Sequence, residues 1–351
     1  MRRPWLKTFS VILYTLTEER PTITTVAKLA NVSVASASRA LNGIKTTPDV
    51  YERVTEAAER VGYVPNAAAS SLRSRRTGQI AFAMPDVANP IYTAMVASIQ
   101  EVVRAGGMRL VLHSTGADVD EELAIVRDLN RRFADGLILV SLRLRDDHAA
   151  ELARSPVPVV VIGRALRGAG VDTVQTDSRH GAAEAVRHLH AAGRRRIALV
   201  NGPLETVPGA RRHEGYVDGL RASGLELEES LVETGEDFMV EPGRAATARL
   251  LQRERPDAIL CTNDLLATGA LSALHDAGLA VPGEVAVVGM DNSPLCDVVY
   301  PRLTSVDLGA ARRARAAAGL LMKRIEEPTR RARTLDVTPT LVVRETCGAR
   351  A

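Results

Sequence analysis

The sequence predicts an α/β protein in which a three-helix head is followed by a larger body of doubly wound parallel sheets. The head is predicted because residues 22–62 contain three short helical segments with cap residues at their ends. The body is predicted because, from Gln79 onward, short apolar runs alternate with helical segments, as buried parallel strands and their covering helices do. With 351 residues, 46% of them hydrophobic, the chain is long enough to bury more than one core.

Residues 1–21 are expected to form a disordered extension ahead of the head. They start with basic residues and hold a short apolar run, residues 9–16, which resembles a weak secretory signal. Thr and Tyr interrupt this run and no small-residue cleavage site follows it, so a poorly ordered extension is the preferred interpretation, and a start codon chosen too far upstream is one explanation for it. No stretch of the sequence reaches the roughly 18 consecutive apolar residues of a membrane span, so no membrane partner is expected.

Charge is divided unevenly along the chain. Residues 1–76 carry 12 basic and 6 acidic side chains, whereas the remainder has a net charge of −3. This division is typical of a phosphate-binding head on a ligand-binding body, although chance fluctuation is the alternative. The three cysteines are too few for a disulfide framework, so a cytoplasmic location fits best. The seven histidines show no metal-ligand spacing, and neither a metal nor a cofactor is expected.

The head is predicted to be a helix-turn-helix unit. Thr24 can cap a first helix through TVAKLA, and Ser33 can cap a second helix that ends near Asn42. Thr47, which precedes a proline, can open a third helix that stops at Gly62. The apolar set of this unit is Ile23, Val26, Leu29, Val32, Ala37, Leu41, Val50, Val54 and Val61. Two short helices across a three-residue turn in a basic segment are typical of DNA-binding heads, although many helical hairpins share the spacing.

A second helical element is predicted in YVPNAAASSLRSRR, residues 63–76. Asn66 can cap it and the alanines favour a helix, while Leu72 has no apolar partner nearby in the sequence. From the residues alone, a plain linker helix whose leucine packs on the body is the alternative.

Seven apolar runs predict the parallel strands of the body. They are QIAFAMP, RLVLHS, GLILVS, PVVVIG, RRIALVNG, DAILCTND and EVAVVGMD. Helices such as GAAEAVRHLHAAG and GRAATARLLQRE would cover the sheets.

Because ligands bind beyond the carboxyl ends of the strands in this architecture, polar residues directly after the runs are site candidates. Those residues are Asn89, Ser114, Ser141, Arg164, Asp177, Asn263 and Asp291. With Arg212 and Phe238 they would supply a mixture of polar groups and an aromatic face that suits a sugar.

Longer motifs extend through both parts of the chain. The head and hinge contain TITTVAKLANVSVASASRALNG and ERVTEAAERVGYVPNAAASSLRSRRTGQIAF. The body contains MPDVANPIY, ADGLILVS, RRIALVNGP, ARRHEGY, CTNDLLATGAL, VPGEVAVVGMDNSP and PRLTSVD. In this combination, residues 21–345 resemble the lac-repressor-type (LacI/GalR) family of bacterial transcription regulators. The resemblance implies a two-lobed, periplasmic-binding-protein-like body behind a head that binds double-stranded DNA.

The resemblance implies that the second helix of the head lies in the major groove, where small polar side chains allow close approach. Ser33 and Ser36 are expected to bind phosphate, and Ser38 and Arg39 are expected to contact a base or the backbone. In the hinge, the leucines of two subunits would wedge into a base step of the minor groove. The expected DNA-binding residues are Thr22, Ser33, Val34, Ala35, Ser36, Ser38, Arg39, Asn42, Asn66, Ala69 and Leu72.

For the body, the resemblance implies an effector cleft between the lobes. The expected effector-binding residues are Asn89, Tyr92, Ser141, Arg164, Asp177, Arg212, Phe238, Asn263 and Asp291. Structural alternatives stay open for two pairs of these residues. Asp177 and Arg164 could cap a helix or pair with each other without contacting the effector. Likewise Asp291 could cap a turn while Arg212 pairs with an acid such as Glu214. Relatives commonly have a glutamine at the position of Leu308, so its absence indicates fewer polar contacts or a different effector.

The expected domain organisation follows from these elements. The head would comprise residues 22–62, the hinge and linker 63–77, the body 78–345 and a tail 346–351. Within the body, the first lobe would comprise about 78–189 and 306–335, and the second about 190–305 and 336–345. The closing VRETCGARA is too short and polar for a coiled coil, so a homodimer is expected rather than a tetramer.

The expected function is repression of carbohydrate uptake or catabolism genes from a pseudo-palindromic operator, with release by a sugar-type effector. The alternative is a periplasmic-type sugar-binding protein of a transporter, which would share the body but lack the head. An enzyme is not expected, because the sequence has neither a phosphate-binding P-loop nor a G-x-S-x-G nucleophile elbow.

Overall fold

The computed structural model describes residues 21–42, 46–64, 76–143, 145–164 and 168–348. The chain divides into two compact units, Met1–Thr77 and Gly78–Ala351. The expected extension, apart from residue 21, lies outside the described residues. So do the hinge positions Asn66, Ala69 and Leu72.

The described part of the first unit contains the helices α1 (Ile23–Leu29), α2 (Val34–Leu41) and α3 (Pro48–Val61). The cap predicted for α1 was wrong: Thr22 rather than Thr24 precedes the helix. Thr22 has the extended backbone that an N-cap needs, and its side chain accepts a hydrogen bond of 3.3 Å from the Thr25 amide.

The cap positions predicted for the other two helices of the head are confirmed, although the Thr47 side chain makes no capping hydrogen bond. Ser33 precedes α2, and its hydroxyl accepts a hydrogen bond of 3.1 Å from the Ser36 amide. Thr47 precedes α3, where proline occupies the first turn, and Gly62 ends the helix with a left-handed φ of 65°.

Small residues build the core of the head. The fully or nearly buried positions are Val26, Ala27, Ala30, Ala37, Ala40, Val54, Ala57 and Ala58. Alanine at these contacts allows the three helices to approach closely. The predicted core position Leu29 was wrong, since its side chain is 47% exposed and the buried stripe of α1 passes through Val26, Ala27 and Ala30.

The second unit contains two six-stranded sheets, one in each lobe. The first sheet has the order β11-β5-β4-β3-β1-β2 and is parallel throughout. Its strands are β1 (Gln79–Met84), β2 (Arg109–Ser114), β3 (Gly136–Val140), β4 (Val159–Ile162), β5 (Asp172–Thr176) and β11 (Thr334–Val337).

The second sheet has the order β12-β10-β9-β8-β6-β7, and only its edge strand β12 is antiparallel to its neighbour. Its strands are β6 (Ile197–Asn201), β7 (Val232–Thr234), β8 (Ala258–Cys261), β9 (Ala286–Met290), β10 (Thr304–Asp307) and β12 (Thr340–Val342). All seven strands predicted from apolar runs are present. The sequence did not predict the remaining five strands, because they are short or carry polar residues and so do not form continuous apolar runs. These are β5, β7, β10, β11 and β12.

Helices cover both faces of each sheet. The first lobe has α4 (Pro90–Ala105) and α11 (Ala310–Glu326) on one face and α5 (Val119–Asp128) and α6 (Asp146–Ala153) on the other. The second lobe has α7 (Ser178–Ala191) and α8 (Val207–Ala222) on one face and α9 (Val240–Arg253) and α10 (Asp264–Asp276) on the other. Glycine permits the closest of these contacts: a Cβ on Gly269 of α10 would collide with the Val240 carbonyl of α9.

The chain passes between the lobes three times, after β5, after β10 and after β11. The first crossing lies near Asp177, so the boundary expected near residue 189 was wrong. Ala182, Val186 and Leu189 of α7 are buried against strands of the second sheet, because the chain crosses before this helix begins.

The prediction that a tail begins at residue 346 was also wrong. Thr346 Oγ1 donates a hydrogen bond of 2.7 Å to the Val287 carbonyl and accepts one of 2.9 Å from the Thr304 amide. Thr346 and Cys347 are fully buried, so both residues belong to the second lobe. Within the described ranges, no helix is long and apolar enough to cross a membrane.

Candidate functional site

The exposed side of α2 carries the polar residues that the sequence singled out. Ala37 and Ala40 face the core, whereas Ser33, Val34, Ala35 and Arg39 are exposed. The remaining predicted positions of this helix, Ser36 and Ser38, are half-buried.

A line of hydrogen bonds connects three of these side chains. Ser33 Oγ donates to Ser36 Oγ over 3.0 Å, and Arg39 Nη2 donates to the same oxygen over 3.3 Å. The bonds orient the guanidinium along the exposed side of α2, and its remaining N–H donors are available for another acceptor.

Two further predicted DNA-binding residues lie at helix ends. Thr22 caps α1, and Asn42 Nδ2 donates a hydrogen bond of 2.6 Å to the Ser38 carbonyl at the end of α2. The Thr22 side chain therefore stabilises the start of α1, and the Asn42 side chain stabilises the end of α2.

A cavity of about 730 Å³ lies between the two lobes of the second unit. All nine predicted effector residues line it: Asn89, Tyr92, Ser141, Arg164, Asp177, Arg212, Phe238, Asn263 and Asp291. They meet because the carboxyl ends of the parallel strands in both sheets point to this space. Ser114 and Leu308 line it as well.

Three of the lining residues also cap helices that begin at the cavity. Asn89 Oδ1 accepts from the Ile91 amide, and Asn263 Oδ1 accepts from the Leu266 amide over 2.8 Å. Asp177 caps α7 and lies 3.6 Å from Arg211. The helix-capping alternative for Asp177 is thus present, whereas its pairing with Arg164 is not found.

Arg212 and Asp291 form a buried ion pair of 3.3 Å between Nη2 and Oδ1. The second terminal nitrogen of Arg212 donates to the Thr262 carbonyl. Burial raises the pKa of Asp291, and the nearby Arg212 guanidinium partly opposes this shift. The alternative partner Glu214 is instead paired with Arg179 and Arg211.

The backbone at Asp291 is strained. Its φ is 107°, in a region that side chains other than glycine rarely adopt. Strain of this kind persists where the surroundings fix the residue, and here the ion pair with Arg212 holds the carboxylate at the cavity wall.

Two aromatic side chains complete the site. Tyr92 is buried, and both burial and the Asp291 carboxylate raise the pKa of its hydroxyl. The ring of Phe238 lies against Gly202, where a Cβ would collide with it. The Phe238 carbonyl accepts a hydrogen bond of 2.8 Å from Asn263 Nδ2, which ties this segment to the start of α10.

Sequence reasoning missed Arg313, which lines the cavity from the first turn of α11. Arg313 does not directly follow an apolar run, and it belongs to none of the motifs that carry the family resemblance. Its signal was the arginine pair Arg312 and Arg313 in the first turn of a helix that closely follows the cavity residue Leu308.

Metal-ligating and thiol side chains both occur in the described ranges. These ranges contain no group of three or more His, Cys, Asp or Glu side chains placed to hold a metal ion. All three cysteines are buried, and burial raises the pKa of the Cys261 and Cys296 thiols, which disfavours the reactive thiolate.

A helix-turn-helix head followed by a two-lobed body with a central polar cavity defines the class of DNA-binding regulators that respond to a small molecule. Residues 22–66 match the description "Bacterial regulatory proteins, lacI family", and residues 186–347 match a periplasmic binding protein-like domain. Over 335 residues the chain is 36% identical to the HTH-type transcriptional regulator CelR of Thermobifida fusca, covering 93% of this chain and 98% of that protein.

Solved structures agree with this match. The transcriptional regulator CelR–cellobiose complex is 34% identical with a TM-score of 0.70, covering 93% of this chain and all (100%) of that chain. The lac repressor dimer bound to operator and the anti-inducer ONPF is 25% identical with a TM-score of 0.83, covering 94% and 100% of the two chains. The protein belongs to the lacI family of bacterial regulatory proteins and is a transcriptional regulator.

Proposed function

We propose that this protein represses carbohydrate uptake or catabolism genes by binding a pseudo-palindromic operator as a homodimer, and that a sugar-type effector releases it. The observation that carries the proposal is the convergence of all nine predicted effector residues on one cavity between the lobes. Ligands bound in such a cavity favour one arrangement of the two lobes over another, and this difference changes operator affinity.

The residues of the cavity support a sugar as the effector. Arg212, Asp291 and Asn263 offer donors and acceptors for hydroxyl groups, and the Phe238 ring offers a face for the apolar side of a pyranose. The relative CelR has been solved with cellobiose, which is consistent with this class of ligand.

The exposed side of α2 supports DNA binding through Ser33, Ser36 and Arg39. The neighbouring Val34 and Ala35 are apolar and suit contact with thymine methyl groups. The lac repressor structure is a dimer on its operator, and two symmetric heads would read the two halves of a palindrome. No catalytic step is part of this function.

A gel-shift titration tests the proposal with the purified protein and the palindromic DNA upstream of its own gene. We expect a complex with a Kd of about 10⁻⁸ M or tighter, and its loss when a sugar found by thermal-shift screening is added. Light scattering should give the mass of a dimer. Absence of a shift with the palindrome, or equal binding to scrambled DNA, would contradict the proposal.

A further inference from the structure

Arg313 is the feature of the effector cavity that the proposed function leaves unused. The side chain is half-buried in the cavity wall, and its Nε is fully buried without a hydrogen-bond partner. Across the described residues, the Arg313 guanidinium donates no hydrogen bond and forms no ion pair. A guanidinium in such a position is unfavourable unless a partner neutralises it.

The neighbouring charges do not supply that partner. Arg313 is in electrostatic contact with Asp291, Arg212, Tyr92 and Asp307, but the Asp291 carboxylate is already paired with Arg212 at 3.3 Å and the Asp307 carboxylate with Arg312 at 3.4 Å. Both nearby carboxylates are therefore already paired with another guanidinium. Burial lowers the pKa of Arg313 to about 10, so its side chain still carries a positive charge at neutral pH.

The other acids of the cavity wall have partners elsewhere. Asp86, Asp177 and Asp237 accept hydrogen bonds from the amides of Ala88, His180 and Met239, and Asp336 accepts one from Gln175. None of them forms an ion pair with Arg313 in the described part of the chain. Among the described residues the positive charge of Arg313 thus has no direct ionic partner, and Asp291 and Asp307 act on it only without direct contact.

We propose that the effector carries an anionic group, a carboxylate or a phosphate, which binds to Arg313. The effector would then be an acidic sugar, whose hydroxyl groups contact Arg212, Asp291 and Asn263. A guanidinium suits either group, because its parallel N–H donors match two oxygens of the anion. The cavity of about 730 Å³ has the size of common small-ligand sites and leaves room for the charged substituent. This inference rests on the proposed function, since it names the class of ligand for the same cavity.

Calorimetric titration with matched sugars tests the inference. Each neutral sugar, such as glucose, galactose or cellobiose, is compared with its uronic or aldonic acid and with its phosphate ester. We expect the best ligand to be acidic and to bind about tenfold or more tightly than its neutral parent. The carboxylate and phosphate arms distinguish the two sources of charge.

Two variants of α11 complete the test. Arg313→Gln should abolish the preference for the acidic sugar, whereas Arg315→Gln should retain it, because Arg315 lies on the surface and pairs with Glu101. A neutral sugar that binds as tightly as its acidic counterpart would overturn the inference. So would a preference that survives in folded Arg313→Gln.

A separate readout covers the case in which no sugar of any kind binds, which would contradict the proposed function itself. Inorganic phosphate is then titrated at constant ionic strength while the melting temperature is followed. A rise in the wild type that Arg313→Gln loses would support the anion site for a ligand that is not a sugar. No rise in the wild type would overturn the anion site as well.

Discussion

The Arg212 guanidinium and the Asp291 carboxylate lie 3.3 Å apart at the wall of the cavity, where they connect α8 to the loop after β9. Both side chains are buried, and the Arg212 guanidinium is the positive group that most opposes the effect of burial on the pKa of Asp291. The pair presents both a donor and an acceptor to the cavity. A ligand hydroxyl that bonds to both groups completes an arrangement that already exists in the protein.

Removing either member of this pair should weaken effector binding while operator binding persists. For Arg212→Ala and for Asp291→Ala we expect an affinity loss of about 1–3 kcal/mol, or ten- to hundredfold, because polar groups stay unpaired in the site. Calorimetry on the folded variants measures the Kd, and gel shifts measure operator binding. An unchanged Kd in both variants would refute the assignment of this pair to the effector site.

The double variant Arg212→Ala with Asp291→Ala provides a control on stability. Each single change leaves a buried charge without its partner, which costs about 3–5 kcal/mol in typical buried pairs. The double variant should therefore be more stable to urea than the sum of the single changes predicts.

Arg39→Ala should weaken operator binding by about 1–3 kcal/mol if the guanidinium contacts a base. The Ser36 hydroxyl orients this side chain on the exposed side of α2. Arg60→Ala, which removes an exposed charge at the end of α3, is the matched control and should change affinity much less. Equal effects of both changes in a gel-shift titration would indicate nonspecific electrostatics instead of a defined contact.

Two glycine-to-alanine changes should alter stability in opposite directions. Gly269→Ala should destabilise the second lobe by more than about 2 kcal/mol, because its Cβ would collide with the α9 backbone. Gly319→Ala should stabilise the protein by about 0.5–1 kcal/mol, because it lies inside α11 with nothing within 4 Å of the new Cβ. Urea unfolding measures both values, and a neutral Gly269→Ala would contradict the close helix contact.

Asp264 should make stability depend on pH below neutrality. Burial and the nearby Asp291 charge raise the pKa of this carboxyl to about 6, above its value of about 3.9 in the unfolded chain. Between these values the folded state binds more protons, so the contribution of Asp264 to stability falls as pH rises from about 4 to 6.

Asp264→Asn should remove this dependence. Relative to the wild type, the variant should gain about 2–3 kcal/mol between pH 4 and pH 6. Urea unfolding of both proteins across this range measures the difference. Parallel stability curves would show that Asp264 titrates normally in the folded protein.

The sequence revealed the central strands and the cavity residues for the same physical reason. Strands such as β3 and β9 are buried on both faces, so they appear as continuous apolar runs, and the residues that follow them must lie at the cleft. The edge of the first sheet was harder to predict, because β11 is largely exposed and β5 carries a glutamine that bonds to Asp336.

Other features depended on contacts that local sequence does not encode. The repeated threonines of TITT offer several caps for α1, and only the backbone conformation selects Thr22. The assignment of α7 to the second lobe depends on where the chain crosses from one lobe to the other. No sequence feature near position 177 indicates this crossing. Arg313 lies at the cavity because the chain returns to the first lobe at the second crossing, and no local pattern shows which residues of α11 face the cleft.

The three crossings also set the order in which the body can be completed during synthesis. Residues 178–307 leave the ribosome as one segment, and they already contain five of the six strands of the second sheet. The first lobe emerges earlier but must wait for α11, whose buried residues Ala314, Ala317 and Leu321 fill its core. Nascent chains should therefore expose an apolar face of the first lobe until almost the whole protein has been translated.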